Sequence, residues 1–216
     1  MNFYSLKIKL HLLKKSFFSV RGQNQIQSSN AKKYKVKYNI VGNNNEFDLG
    51  ESTLHNILIH VRGNNNKLKI EKNCYFKNTN LMFEGNNCEI YIGENTSIES
   101  AHIDVKEENM TISIGKDCMF SDEVFISTSD SHSILNQDGE RINHARSVII
   151  GENVWIGKRV MILKGSTIGN GAIIAAGSIV NLDGEPVSDE FLADAMNYQI
   201  LLGKIDTLLA KIGLDA

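Results

Sequence analysis

One stretch concentrates the groups that could do chemistry. Residues 129–147 read SDSHSILNQDGERINHARS and hold His132 and His144, two of the six histidines in the chain. Asp130, Asp138, Glu140, Arg141, Asn143 and Arg146 lie among them. An imidazole suits proton removal from an attacking alcohol, because its ordinary pKa lies near neutrality. His132 is the candidate base, and Asp130 is the sequence-local carboxylate that could orient its ring and stabilise the cation. Spacing alone equally allows His132 to be an exposed loop histidine. His144 fits either a substrate contact or a structural hydrogen bond. Arg141 and Arg146 could hold a carboxylated sugar, or pin the stretch through Asp138 or Glu140. Trp155 follows, between Val154 and Ile156. No set of His, Cys and Asp has metal-ligand spacing. The absence of GxxxxGK[ST] leaves an ATP-driven reaction without local support.

These residues interrupt a repeat. In residues 148–180 aliphatic side chains fall six apart, at Ile150, Ile156, Ile162, Ile168, Ile174 and Val180. Four positions after the first five stand Val154, Val160, Ser166, Ala172 and Ser178. A period of six suits short strands separated by sharp turns and wound about one axis, with the aliphatic residues stacked inside. Val154 and Ile156 belong to the inward pattern, so Trp155 should face out. A neighbouring subunit, a cofactor or a sugar ring could cover it.

A longer repeat lies upstream. GNNNEFDLG, GNNNKLKIE and GNNCEIYIG begin at Gly42, Gly63 and Gly85, and the last core aliphatics are Leu49, Ile70, Ile92 and Ile114. Three hexapeptides need fewer residues than this spacing, and the surplus fits a corner enlarged by the Asn-rich tetrapeptide. Within these coils the inner positions read as Ile70, Phe76 and Met82, then Ile92 and Ile98, then Ile114, Phe120 and Ile126. The expected domain is a β-helix over residues 39–182 with an excursion at 127–147. An excursion from a solenoid commonly supplies its binding face.

Residues 1–45 carry nine Lys or Arg and no acid, while the rest carries 14 basic and 25 acidic side chains. The formal charge of −2 therefore hides a dipolar chain. Residues 1–38 read as a basic arm, partly helical, which either clasps the first coil or meets anionic lipid or polymer. The arm lacks a transmembrane span, a convincing signal peptide and a nucleic-acid motif. Cys74, Cys88 and Cys118 form no disulfide framework, and a reducing cytoplasm is the natural compartment. Cys74 and Cys118 occupy the small inward slot and read as core filler. Residues 183–216 read as an amphipathic helix, from Phe191, Ala195, Tyr198, Leu202, Ile205, Leu209 and Ile212. It would cap the prism or form a bundle.

The hexapeptide run resembles the hexapeptide-repeat acyltransferases. Across residues 85–180 the resemblance narrows to O-acetyltransferases of capsular polysialic acid and similar polymers. The motifs are the D-x-H of Asp130 and His132, GERINH ending at His144, and NVWIG around Trp155. It implies an all-β solenoid, a left-handed parallel β-helix, with short helical N- and C-terminal extensions as read above. It implies acetyl-CoA as co-substrate without a metal, His132 as general base, and Trp155 beside the thioester. It places the pantetheine arm against Gly157, Gly165, Ala175, Ala176 and Gly177 in a groove between subunits of a homotrimer. Lys158, Arg159 and Lys164 could meet CoA phosphates or form an ordinary solvated edge. The acceptor would be a carbohydrate, on the cytoplasmic side and with peripheral membrane contact open. The competing readings are N-acetylation of a nucleotide-linked amino sugar and a noncatalytic polysaccharide-binding β-helix. The Gly184-Glu185-Pro186-Val187 segment has Val where the family's G-x-P-A has Ala, which puts the usual adenine contacts in doubt.

Overall fold

The structure, a computed structural model, describes residues 18–28 and 30–181. The first coil is made of β1 (Phe18–Arg21), β2 (Asn24–Gln27) and β3 (Lys32–Tyr34), and the same three-strand unit recurs up to β21 (Ile173–Ile174). The last strand, β22 (Ile179–Val180), begins an eighth coil. Every third strand pairs in parallel, giving three sheets: sheet A with eight strands from β1 to β22, sheet B with seven from β2, and sheet C with seven from β3. The chain is thus a left-handed parallel β-helix of about seven turns.

Register explains the periodicity. In sheet B, Ile92 lies between Ile70 and Ile114, Ile114 pairs with Ile150, and Ile150 with Ile168. In sheet C, Phe120, Ile156 and Ile174 form another column. These inner residues are buried and make one continuous core from coil to coil. Ile150 sits directly above Ile114, so the chain between them is one coil plus the excursion.

The Asn-rich corners join sheet A to sheet B. Asn44, Asn65, Asn87 and Asn109 take left-handed dihedrals there, which asparagine tolerates. Their side chains bond upward, Asn65 to Asn87 at 3.2 Å and Asn87 to Asn109 at 3.2 Å. A second ladder is buried. Asn66 Oδ1 accepts the Cys88 amide at 2.9 Å, and its Nδ2 donates to the Gly85 carbonyl at 3.0 Å. The coils approach so closely that a Cβ at Gly63 would lie 1.8 Å from the Gly85 oxygen. The three thiols fill buried corner slots, and burial pushes Cys74 up to about 11.

Two expectations change. Winding begins at Phe18, inside the segment read as a basic arm, because the polar strands of the first coil are held by backbone pairing with the second. Met82 faces outward. The strand Thr79–Glu84 (β10) is long enough to alternate, and it buries Leu81 and Phe83 instead. No helix occurs among the described residues; the helices expected near the two ends of the chain lie outside them, in 1–17 and 182–216.

Candidate active site

The excursion leaves sheet A after β16 (Val124–Ser127) and re-enters sheet B at β17 (Val148–Ile150), at the corner occupied in earlier coils by the Asn tetrapeptides. Its first turn is sewn to the coil below. Thr128 Oγ1 accepts the Lys106 amide at 2.8 Å and donates to the Lys106 carbonyl at 2.9 Å. Ser129 Oγ donates to Glu107 at 2.6 Å, and the Lys106 ammonium donates to Ser131 Oγ at 3.1 Å. Ser131, immediately before His132, holds a φ of +65°.

Two ion pairs grip the excursion from opposite sides. From below, Glu107 receives both prongs of the Arg141 guanidinium, one at 2.8 Å. From the coil above, Lys164 meets Asp130 at 2.5 Å. The Arg141 bond holds Glu107 below its ordinary pKa, and Lys164 does the same for Asp130, so both carboxylates stay ionised at neutral pH.

Between the grips lies Asn143, only 8% exposed. Its Oδ1 accepts the Ile134 amide at 2.7 Å and the Arg141 Nε–H at 3.3 Å. Its Nδ2 donates to Asp130 at 2.8 Å and to the His132 carbonyl at 2.7 Å. All four bonding positions of the carboxamide are filled. A small hairpin projects beyond it, closed by Asn136 and turned at Gly139, whose φ is +81°. It leaves Ile134, Leu135 and Ile142 exposed.

The expected residues take up the following places. His132 is exposed, and among the described residues its ring makes no hydrogen bond. Asp130 makes no bond to that ring; the Lys164 ammonium and Asn143 Nδ2 both bond its Oδ2. Arg141 does pin the excursion, but through Glu107 rather than Asp138 or Glu140. His144 and the Arg146 side chain are exposed, and the Arg146 amide bonds the Thr128 carbonyl at 2.9 Å. Lys164, expected at the donor phosphates, stands with Gly165 at the A–B corner and is occupied by Asp130.

The other donor candidates form a second group. Trp155 begins β18 (Trp155–Ile156) in sheet C and is 51% exposed, in a column with exposed Met119 and Ile173. Gly157, Lys158 and Arg159 follow at the corner between sheets C and A, and Ala175, Ala176 and Gly177 stack on that corner one coil later. The coils touch closely there: Gly157 N donates to Ile174 O, and Gly177 N to Lys158 O, both at 2.8 Å. Lys158 and Arg159 share one carboxylate, Glu123, at 3.7 and 2.7 Å. Two cations on one anion leave a positive charge over, which fits a phosphate. Within one chain this group and His132 are separated by the width of sheet A, roughly 15 Å at about 3.3 Å per extended residue.

Comparison with known proteins gives this arrangement a context. A family model described as bacterial transferase hexapeptide (six repeats) matches residues 147–181. The solved structure of the polysialic acid O-acetyltransferase OatWY superposes with a TM-score of 0.69 at 30% identity, over 76% of this chain and 80% of that one. This chain belongs to the hexapeptide-repeat acyltransferases. A second structure, the polySia specific acetyltransferase NeuO, gives a TM-score of 0.60 at 28% identity, over 76% of this chain and 71% of that one. The polysialic acid O-acetyltransferase of Neisseria meningitidis is 33% identical over 142 residues, 55% of this chain and 66% of that protein. The protein of the same name from Escherichia coli O1:K1 / APEC is 35% identical over 90 residues, 41% of this chain and 28% of its own length. The chain thus matches just under two thirds of the first relative and a smaller part of the second. In this chain the family model covers the corner between sheets C and A and also Lys164, while His132, Asp130, Arg141 and Glu107 precede it.

Sequence reasoning missed Glu107 and the central place of Asn143. Glu107 had a signal: it stands in the corner slot filled by Gly63 and Gly85 in the coils below, with a φ of +67°. A charged residue in a glycine slot marks a corner put to another use. Asn143 had only its presence within GERINH.

Proposed function

We propose that this protein moves an acetyl group from acetyl-CoA to a hydroxyl of a sialic-acid-containing bacterial surface polysaccharide, with His132 as general base. The observation that carries the reading is an exposed imidazole on a turn gripped from the coils below and above, in a chain similar to polysialic acid O-acetyltransferases. His132 takes the acceptor's proton as its oxygen attacks the thioester carbonyl. The tetrahedral intermediate collapses, the C–S bond breaks, and the imidazolium returns the proton to the departing thiolate. The developing oxyanion needs a donor, for which the Trp155 indole N–H or a backbone amide of the donor corner is suited.

His132 and Trp155 lie on different sides of one prism, so a shared site requires a second chain. We place it between subunits of a homotrimer, where the A–B corner of one protomer meets the C–A corner of its neighbour. Lys158 and Arg159 would hold the CoA phosphates there, displacing Glu123. The basic first coils, with Arg21, Lys32, Lys33, Lys35 and Lys37 and no acid before Glu46, suit steering of an anionic polymer. The test is transfer from acetyl-CoA to oligosialic acid, neutral capsular oligosaccharides and nucleotide-linked amino sugars, side by side. Transfer to oligosialic acid with the highest kcat/KM is expected. Preference for an amino-sugar nucleotide would replace this reading.

A further inference from the structure

The outer face of sheet A carries a polar row unrelated to the family repeat. Strand β13 (Ala101–Lys106) buries Ala101, Ile103 and Val105 in the core and turns His102, Asp104 and Lys106 outward. Asp104 is nevertheless only 3% exposed. A carboxylate buried at an outward position costs stability unless it is fully partnered. Lys106 reaches its Oδ2 at 3.1 Å. His102 Nε2 lies 2.7 Å from its Oδ1, but the two are out of line, and Oδ1 is left without a well-formed hydrogen bond. Burial works against the ionised form of Asp104, yet His102 and Lys106 hold its pKa below the ordinary value. The row therefore contains an ionised, buried carboxylate with one oxygen poorly satisfied beneath a half-exposed imidazole.

The position of this row matters. Lys106 at its far end bonds Ser131, the neighbour of His132. His102 lies towards the donor corner, in register with Phe125, Met161 and Ile179 above it. The Phe125 ring stacks on the imidazole at 5.8 Å with planes 18° apart, and Met161 and Ile179 are exposed. An imidazole backed by a carboxylate, beside an apolar strip, presents what a sugar ring offers in return: hydroxyls to a polar group and a C–H face to an aromatic one. His102 Nδ1 has no partner among the described residues.

We propose that His102 contacts the acceptor, binding a sugar further along the chain from the one whose hydroxyl reacts at His132, while Asp104 beneath it acts as a positioning residue. This rests on the acceptor being a sialic acid chain. It extends that reading, because a chain presented at His132 must continue somewhere, and sheet A is the surface between the two corners. Holding the ring against a sugar would bring Nε2 into line with Asp104 Oδ1.

The test compares wild type with His102→Ala and His102→Gln in the full chain, using oligosialic acid of graded length and saturating acetyl-CoA. For long acceptors His102→Ala is expected to raise the acceptor KM about tenfold, the weight of one buried polar contact. Its kcat and its KM for acetyl-CoA should stay near wild type, and the defect should vanish for the shortest acceptor. His102→Gln, which keeps a donor and acceptor, should recover part of the loss, and Asp104→Asn should show a weaker version of the same length dependence. A wild-type KM in His102→Ala, or an equal defect at every length, overturns the proposal. So does a change in sedimentation velocity alongside the defect, which would make sheet A a contact between copies of this chain. A wild-type enzyme inactive on every oligosialic acid overturns the acceptor reading itself, and His102 as its contact with it.

Discussion

Replacing Asn143 by Ala should disable the enzyme while leaving the solenoid intact. The side chain holds three other parts of the excursion at once. Its bonds to the Ile134 amide and the His132 carbonyl join neutral groups and contribute about 1 kcal/mol each, and the bond to ionised Asp130 about 1.5–3 kcal/mol. Arg141 keeps its grip on Glu107 without Asn143, so that share is small. Water reaching an exposed loop restores part of the loss, which leaves a net effect of roughly 2–3 kcal/mol on the ordered turn. All of these bonds lie inside the excursion, and none supports the stacked core. The cost therefore falls on the local equilibrium between a fixed and a wandering His132. We expect turnover to fall about 10²-fold, the effect of misplacing a catalytic group by about an ångström. The melting temperature should move by less than about 2 °C. Steady-state acetyl transfer and thermal unfolding, measured on the same preparation, decide the matter. Near-normal turnover would refute Asn143 as the residue that fixes the turn. A large fall in melting temperature would show that the excursion is part of the core's stability.

The remaining predictions follow from the same contacts. Glu107 has a lowered pKa, so its contribution is complete above the ordinary carboxylate range and is lost as pH falls through the lowered value. Limited proteolysis of residues 129–147 should thus be unchanged from neutral pH down to about pH 5 and accelerate below about pH 4, whereas Arg141→Ala should be cleaved rapidly at neutral pH. Lys164→Met should lower kcat with little change in the KM for acetyl-CoA, since Lys164 serves Asp130; a raised donor KM with normal kcat would return it to the CoA phosphates. Asn66→Ala would strand the buried Cys88 amide and Gly85 carbonyl, costing about 2–4 kcal/mol and lowering the melting temperature by about 5–10 °C, followed by circular dichroism.

The later coils were legible because the two-residue strands from Trp155–Ile156 to Ile173–Ile174 each bury one aliphatic, and a six-residue beat is unambiguous once it recurs. Ile150, Ile156, Ile162 and Ile168 are all nearly inaccessible. The same beat misassigned Met82, because a six-residue strand buries alternate residues and offers several phases. It missed the first coil because a strand such as Lys32–Tyr34 has no buried face to betray it. The excursion was legible as a break in the beat, and its content pointed to His132. Its partners were not. Glu107 and Arg141 are 34 residues apart, as are Asp130 and Lys164, and only the stacking of coils brings them together. Sequence proximity favoured Asp130 as the partner of His132, while the structure bonds its Oδ2 to an ammonium from the next coil and to Asn143. Trp155 was legible as outward-facing, since inward neighbours on both sides leave one direction.

The central claim is that His132 removes the acceptor's proton. Its most direct test is His132→Ala, assayed by acetyl-CoA consumption with oligosialic acid at saturating concentrations of both. A fall in kcat of about 10²–10⁴, with sedimentation behaviour unchanged, is the result this account predicts. Turnover within a few-fold of wild type would contradict it.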